Sequence, residues 1–131
     1  MSCCDGSLVK IVNQSGSDLT VTASDGVVGN LHDLDKNTSI ADQNSASGYA
    51  YSSGGTDGAC SGYVTVTTAN GSYSLTLNYA FTPKNKRGSC PCTPSSQDNV
   101  TSGNYVATAS VATGSSDGGA STVWTITAQL T

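Results

Sequence analysis

Whatever chemistry this chain performs rests on few side chains: five cysteines, one histidine, five cations and nine acids among 131 residues. The cysteines fall as a vicinal pair, Cys3-Cys4, a lone Cys60, and Cys90-Pro91-Cys92. An odd number leaves at least one thiol free or paired between chains. Neighbours such as Cys3 and Cys4 seldom bridge each other, because that ring is strained. Two arrangements stay open. In one, a disulfide inside the chain ties the sheet, with Cys60 close to Cys90 or Cys92, and the remaining thiols are spare. In the other, an arm of residues 1–7 carries Cys3 and Cys4 to a neighbouring subunit. Structural zinc suits neither, since such sites use paired Cys-x2-4-Cys spacings and the chain has one histidine.

His32, flanked by Asp33 and Asp35, raises acid–base work. Nucleophilic catalysis needs a positioned serine or cysteine as well, and no such motif occurs. All nine acids are aspartates, so a glycosidase pair would need two of them. The reading is a loop histidine in an acidic turn, with no enzyme and no cofactor. Asp33, Asp35 and Asn37 also form the Asp-x-Asp-x-Asn start of a calcium loop. Thr38 stands where that loop needs glycine and Asn44 where it needs glutamate, so a plain polar turn competes with a metal site. Four sequons, at Asn13, Asn37, Asn70 and Asn99, matter only on a eukaryotic secretory route.

The elements that must position these groups are strands. Serine (21), threonine (17) and glycine (15) dominate, whereas the strong helix formers are scarce. Thr, Val and Tyr suit pleated strands, and Ser, Asp, Asn and Gly suit turns. A net charge of −4 argues against a nucleic-acid partner, which calls for a basic face. The one basic cluster is Lys84, Lys86 and Arg87. No apolar run approaches the ~20 residues that span a bilayer, and Met1 to Asp5 show no signal peptide. The expectation is a soluble extracellular or cell-surface protein.

Asn70-Gly71 predicts a two-residue type I′ hairpin. Centring the turn there sets Val64 opposite Leu77, Val66 opposite Leu75, Thr65 opposite Thr76, Thr67 opposite Ser74 and Cys60 opposite Phe81. Apolar residues then meet apolar ones and hydroxyls meet hydroxyls. Leu8–Asn13 and Leu19–Ala23 predict a second hairpin, and Tyr105–Ala112 with Thr122–Leu130 a third. A short strand is expected over Gly48–Ser52, and long loops over 25–47 and 83–103. The sum is an all-β antiparallel sandwich of about six to eight strands over residues 8–131, preceded by the cysteine arm.

Val9-Lys10-Ile11-Val12-Asn13-Gln14-Ser15-Gly16, followed by a Leu19–Val21 strand, resembles the opening of aegerolysins and their small insecticidal crystal-protein relatives. Gly29-Asn30-Leu31-His32 ahead of Asp35-Lys36-Asn37-Thr38 is similar to a loop of that family. So are the glycine-rich run Ser53–Gly58 with Gly62, and Tyr79-Ala80-Phe81-Thr82-Pro83. The resemblance spans residues 8 to 90. It implies a β-sandwich that binds membrane lipid, often beside a larger pore-forming partner protein. The family has several tryptophans at its lipid-facing end, and this chain has Trp124 alone. The lipid-contact candidates are therefore Tyr79, Phe81, Lys84, Lys86 and Arg87, although Tyr79 and Phe81 equally continue a core-facing stripe.

A Cys-Cys arm ahead of a Thr/Ser/Val-rich sandwich is also similar to subunits of bacterial endospore appendages. That resemblance implies fibres of identical subunits joined at sheet edges and stapled through Cys3 and Cys4. A carbohydrate-binding sandwich is the third reading, with Tyr49, Tyr51, Tyr63 and Trp124 as stacking residues.

Overall fold

Alternation of buried and exposed side chains organises the long strands. A computed structural model describes residues 4–52, 58–84, 91–114 and 119–129. Eleven strands run through the described residues: β1 Ser7–Gln14, β2 Leu19–Val28, β3 Asn30–His32, β4 Ser39–Ile40, β5 Ser45–Tyr51, β6 Cys60–Thr68, β7 Ser74–Pro83, β8 Cys92–Pro94, β9 Val100–Ser102, β10 Tyr105–Ala112 and β11 Ser121–Ala128. They form two sheets, β3-β5-β1-β11-β10-β9 and β4-β2-β6-β7-β8. The chain is an all-β sandwich. Four of the strands have only two or three residues, too short for a period to be read in sequence. Those four lie inside the two expected long loops, into which β2, β5 and β7 also extend by one to four residues.

The core lies between the sheets. From one come Val9, Ile11, Ala107, Trp124 and Ile126, and from the other Leu19, Val21, Val64, Val66, Leu75 and Leu77. Trp124 spans the gap, its indole N–H donating to the Asn78 carbonyl on β7 at 3.2 Å. The β6–β7 hairpin has the expected register, from Cys60 opposite Phe81 to Thr67 opposite Ser74. Its turn is not type I′. Gly71 N–H bonds to Thr68 C=O at 2.8 Å, and Gly71 alone of the two tip residues has positive φ, +76°. The four-residue loop 69–72 shares its centre with the two-residue turn, so the register is the same. The Asn70 side-chain oxygen Oδ1 closes the loop by accepting from Thr68 Oγ1 and Ser72 N.

The third expected hairpin, β10 with β11, is present. The first is not. β1 and β2 lie in opposite sheets, because both bury an apolar stripe (Val9 and Ile11; Leu19 and Val21) and face each other across the core. Buried Asn13 holds the crossover. Its amide donates to Ser17 O at 2.7 Å and Ile40 O at 2.9 Å, and its oxygen accepts from Ser15 N and Oγ. β1 instead pairs in parallel with β11 and antiparallel with β5. A parallel partner more than 100 residues away leaves no local trace.

Residues 4–7 pack into the sandwich. Cys4 and Ser7 are fully buried, and Ser7 Oγ accepts Ala120 N–H at 3.0 Å. Cys4 is bonded to Cys92, with the Cα atoms 5.1 Å apart.

Candidate functional site

The exposed aromatic side chains of the first sheet gather at one corner. Tyr49 and Tyr51 are two residues apart on β5, so they share its outer face, and each is more than a third exposed. Across the strand pair, His32 stands opposite Tyr49 and Asn30 opposite Tyr51. The His32 and Tyr51 rings meet edge to face, centroids 5.0 Å apart at 82°. On the other flank β1 brings Leu8 opposite Tyr49. Gly6, in the turn just before the paired register, donates its N–H to Ala50 O at 2.8 Å. Gly6 has φ +78°, and a Cβ there would meet nothing within 4 Å among the described residues. Asp5 clamps the rim, one carboxylate oxygen accepting from Ser52 N at 2.8 Å and Ser52 Oγ at 2.9 Å.

The β2–β3 turn completes the corner. A Cβ on Gly29 would lie 2.1 Å from the Tyr51 carbonyl oxygen, so the turn is pressed against the end of β5 and only glycine fits. Val27, near the end of β2 and two residues before Gly29, is 67% exposed, the most exposed large apolar side chain among the described residues. Its position beside a bulge, where β2 slips register between Gly26 and Val28, pushes it out of the sheet.

The expected lipid-contact residues are arranged otherwise. Tyr79 and Phe81 are each 1% exposed and belong to the core, their rings 5.7 Å apart. The alternation of β7 turns both inward with Leu75 and Leu77, which corrects their assignment to a membrane surface. The Tyr79 hydroxyl is buried without a hydrogen-bond partner, above Gly62, whose missing side chain makes room for it. Burial, then the neighbouring Cys60 and Asp25, push its pKa up. Lys84 is exposed at the end of β7. Lys86, Arg87, Cys3 and Cys90 lie outside the described residues.

Of the thiols, Cys4 closes on Cys92 within the chain, so it is not available to staple a neighbouring subunit. Cys60 is free and buried, not bonded to Cys92 as one reading allowed. Desolvation, with the nearby Asp5 charge, raises its pKa to about 12. Asp33, Asp35 and Asn37 bound a turn that is fastened by its backbone. Asn37 N bonds to Val21 O, Val21 N to Thr38 O, and Thr38 N to Asp35 O. Leu34 between the two acids is fully buried. Among the described residues no three His, Cys, Asp or Glu side chains converge as a metal site. Of the expected sugar-stacking residues, Tyr49 and Tyr51 come together, Tyr63 is half-buried on the other sheet, and Trp124 is buried. Asn13 is fully buried and its amide engaged, so that sequon is closed to modification.

The sequence matches no family model and no curated protein. Solved structures do share its fold. The lipid binding protein Nakanori superposes with a TM-score of 0.69 over 95% of this chain and 71% of that one, at 10% identity. IP-1A from Alcaligenes faecalis superposes with a TM-score of 0.58 over 98% of this chain and 94% of that one, at 16% identity. What is shared is the fold.

Proposed function

We propose that this chain is a non-enzymatic module that binds lipid surfaces through the corner formed by Val27, Tyr49 and Tyr51. One observation carries the reading: of the five exposed large apolar side chains among the described residues, Tyr49 and Tyr51 share the outer face of β5, and Val27 lies two residues before Gly29, whose turn packs on the Tyr51 carbonyl. Aromatic rings with a polar tip are at home where a bilayer meets water, and a protruding aliphatic beside them adds apolar area. The likeness in fold to a lipid binding protein supports the same reading. Lys84 is exposed, but the net charge of −4 favours neutral over anionic membranes.

Catalysis has little support. Cys60 is a protonated, buried thiol at neutral pH, and a thiol needs to ionise to act as a nucleophile. His32 is engaged with the Tyr51 ring. The Cys4–Cys92 bridge fits an oxidising, extracellular-like setting. A pore-forming partner, implied by the aegerolysin resemblance, remains compatible with a corner that anchors the chain on lipid. Fibre assembly is less favoured, because Cys4 is closed within the chain and all four sheet-edge strands have two or three residues. Short edges discourage strand addition from a neighbour.

The test is co-sedimentation with phosphatidylcholine vesicles. The wild-type chain sediments with the vesicles, and Val27→Asp and Tyr51→Ala stay in solution. Equal binding by all three, or none by the wild type, removes the reading.

A further inference from the structure

We propose that His32 sets which membranes the corner binds: neutral ones while its imidazole is uncharged, and anionic ones once it is protonated. This regulation rests on the lipid-surface reading above. Histidine is the side chain that ordinarily changes its charge between pH 5 and 8, and the chain has one. It stands within the proposed contact. His32 is exposed and opposite Tyr49, and its ring meets the Tyr51 ring edge to face, with centroids 5.0 Å apart. Tyr51 therefore enters an interface with the imidazole at its side. An uncharged ring can follow it in. An imidazolium has to shed water to do so, and removing a charge from water is unfavourable. Beside an anionic surface the sign reverses, because the added cation is attracted.

The charged and titratable groups around His32 leave this change in place. Asp33 and Asp35 follow on its own turn. The strands that β3 packs against bring Asp25 from β2, Tyr49 and Tyr51 from β5, and Cys60 and Tyr63 from β6. Beyond β5, Lys10 on β1 shares the outer face of Tyr49, and Asp5 holds Ser52 at the rim. Carboxylates, amines and phenols ordinarily keep one charge state from pH 5 to 7.5. Cys60 stays protonated, its pKa pushed up to about 12 by burial. Among the described residues no cluster of three metal-ligating side chains takes up the imidazole. Protonation thus adds a second positive charge, after Lys10, to the face that carries the two tyrosines.

The test is sedimentation at pH 7.5 and pH 5 with two kinds of vesicle, phosphatidylcholine alone and phosphatidylcholine mixed with phosphatidylserine. The proteins are the wild type, His32→Gln, which is neutral at both pH values, and His32→Arg, which is charged at both. On acidification the wild type loses affinity for the neutral vesicles severalfold and gains about fivefold for the anionic ones. His32→Gln behaves at both pH values as the wild type does at pH 7.5, and His32→Arg as the wild type does at pH 5. If His32→Gln does not fold, NMR of the one imidazole in the wild type decides. Coupling is reciprocal, so phosphatidylcholine bicelles move its titration to lower pH and bicelles doped with phosphatidylserine move it to higher pH. A wild type that binds each vesicle equally at both pH values, a pH response that persists in His32→Gln, or an imidazole titration that neither bicelle moves overturns the inference and leaves lipid binding standing. No binding to either vesicle at either pH removes the lipid-surface reading and the role of His32 with it.

Discussion

The two outer faces of the sandwich are both built from short alternating strands, yet they present different chemistry to solvent. On the β2-β6-β7 face, hydroxyls meet across the strands: Thr22 with Thr67 at 2.9 Å, Thr67 with Ser74 at 2.8 Å, Thr65 with Thr76 at 2.9 Å. That ladder satisfies itself, with Tyr63 half-buried beyond it on β6 and Val27 lifted out near the end of β2. On the β3-β5 face the matching positions carry Tyr49, Tyr51 and His32, flanked by Leu8. The difference is what supports placing recognition, as proposed, on the second face. One face pairs its hydroxyls within the chain, and the other leaves two tyrosine rings exposed.

The largest expected effect comes from cutting the clamp beneath the aromatic face. Cys4→Ser with Cys92→Ser opens a bridge between residues 88 apart in sequence. Bridges closing long loops contribute about 2–5 kcal/mol. Urea unfolding should report a loss of that order, and vesicle binding should fall because Asp5, no longer tethered, cannot fix Ser52 at the end of β5. Stability lost with vesicle binding unchanged would separate the clamp from the site.

Next is Asn13→Ala, at the crossover between the sheets. It strands the Ser17 and Ile40 carbonyls that its buried amide satisfies, for an expected loss of about 2–4 kcal/mol in the same assay. The corner lies away from this crossover, so vesicle binding at a temperature where the variant is folded should stay at the wild-type level.

These residues also mark how much was legible beforehand. The β6–β7 register could be read because Val64, Val66, Leu75 and Leu77 alternate strictly about one centre, and it survived a mistaken turn type. Tyr79 and Phe81 extend that same stripe, so their burial was visible in the alternation once the lipid-facing alternative was set aside. Nothing near β1 announced that its partners are β5 and β11. A strand with one apolar face looks alike whether its neighbour is a hairpin or lies more than 100 residues on. Of the corner, the Tyr49-x-Tyr51 spacing was readable. The exposure of Val27 was not, since it depends on the register slip between Gly26 and Val28 that only the pairing with β6 supplies.

A smaller effect is expected at high pH. Cys60 is held neutral in the folded chain, with its pKa moved from the ordinary 9.0 to about 12, whereas the unfolded thiol ionises near its ordinary value. The unfolded state therefore binds fewer protons between those limits, and stability must fall as pH rises through that window. Cys60→Ala should flatten the part of the decline due to this thiol, measured by urea midpoints from pH 8 to 11. An unchanged slope would mean that the thiol is not protected. The smallest effect belongs to the hydroxyl face. Thr65→Ala with Thr76→Ala removes one exposed hydroxyl pair, and the stability change should stay within about 0.5 kcal/mol with vesicle binding unaltered.

The most direct test sets the two faces against each other in one sedimentation experiment with phosphatidylcholine vesicles. The wild-type chain and the Thr65→Ala/Thr76→Ala variant should bind alike, and Tyr51→Ala should remain in the supernatant. Binding that survives Tyr51→Ala, or that is lost with the threonines, would contradict the assignment of recognition to the aromatic corner.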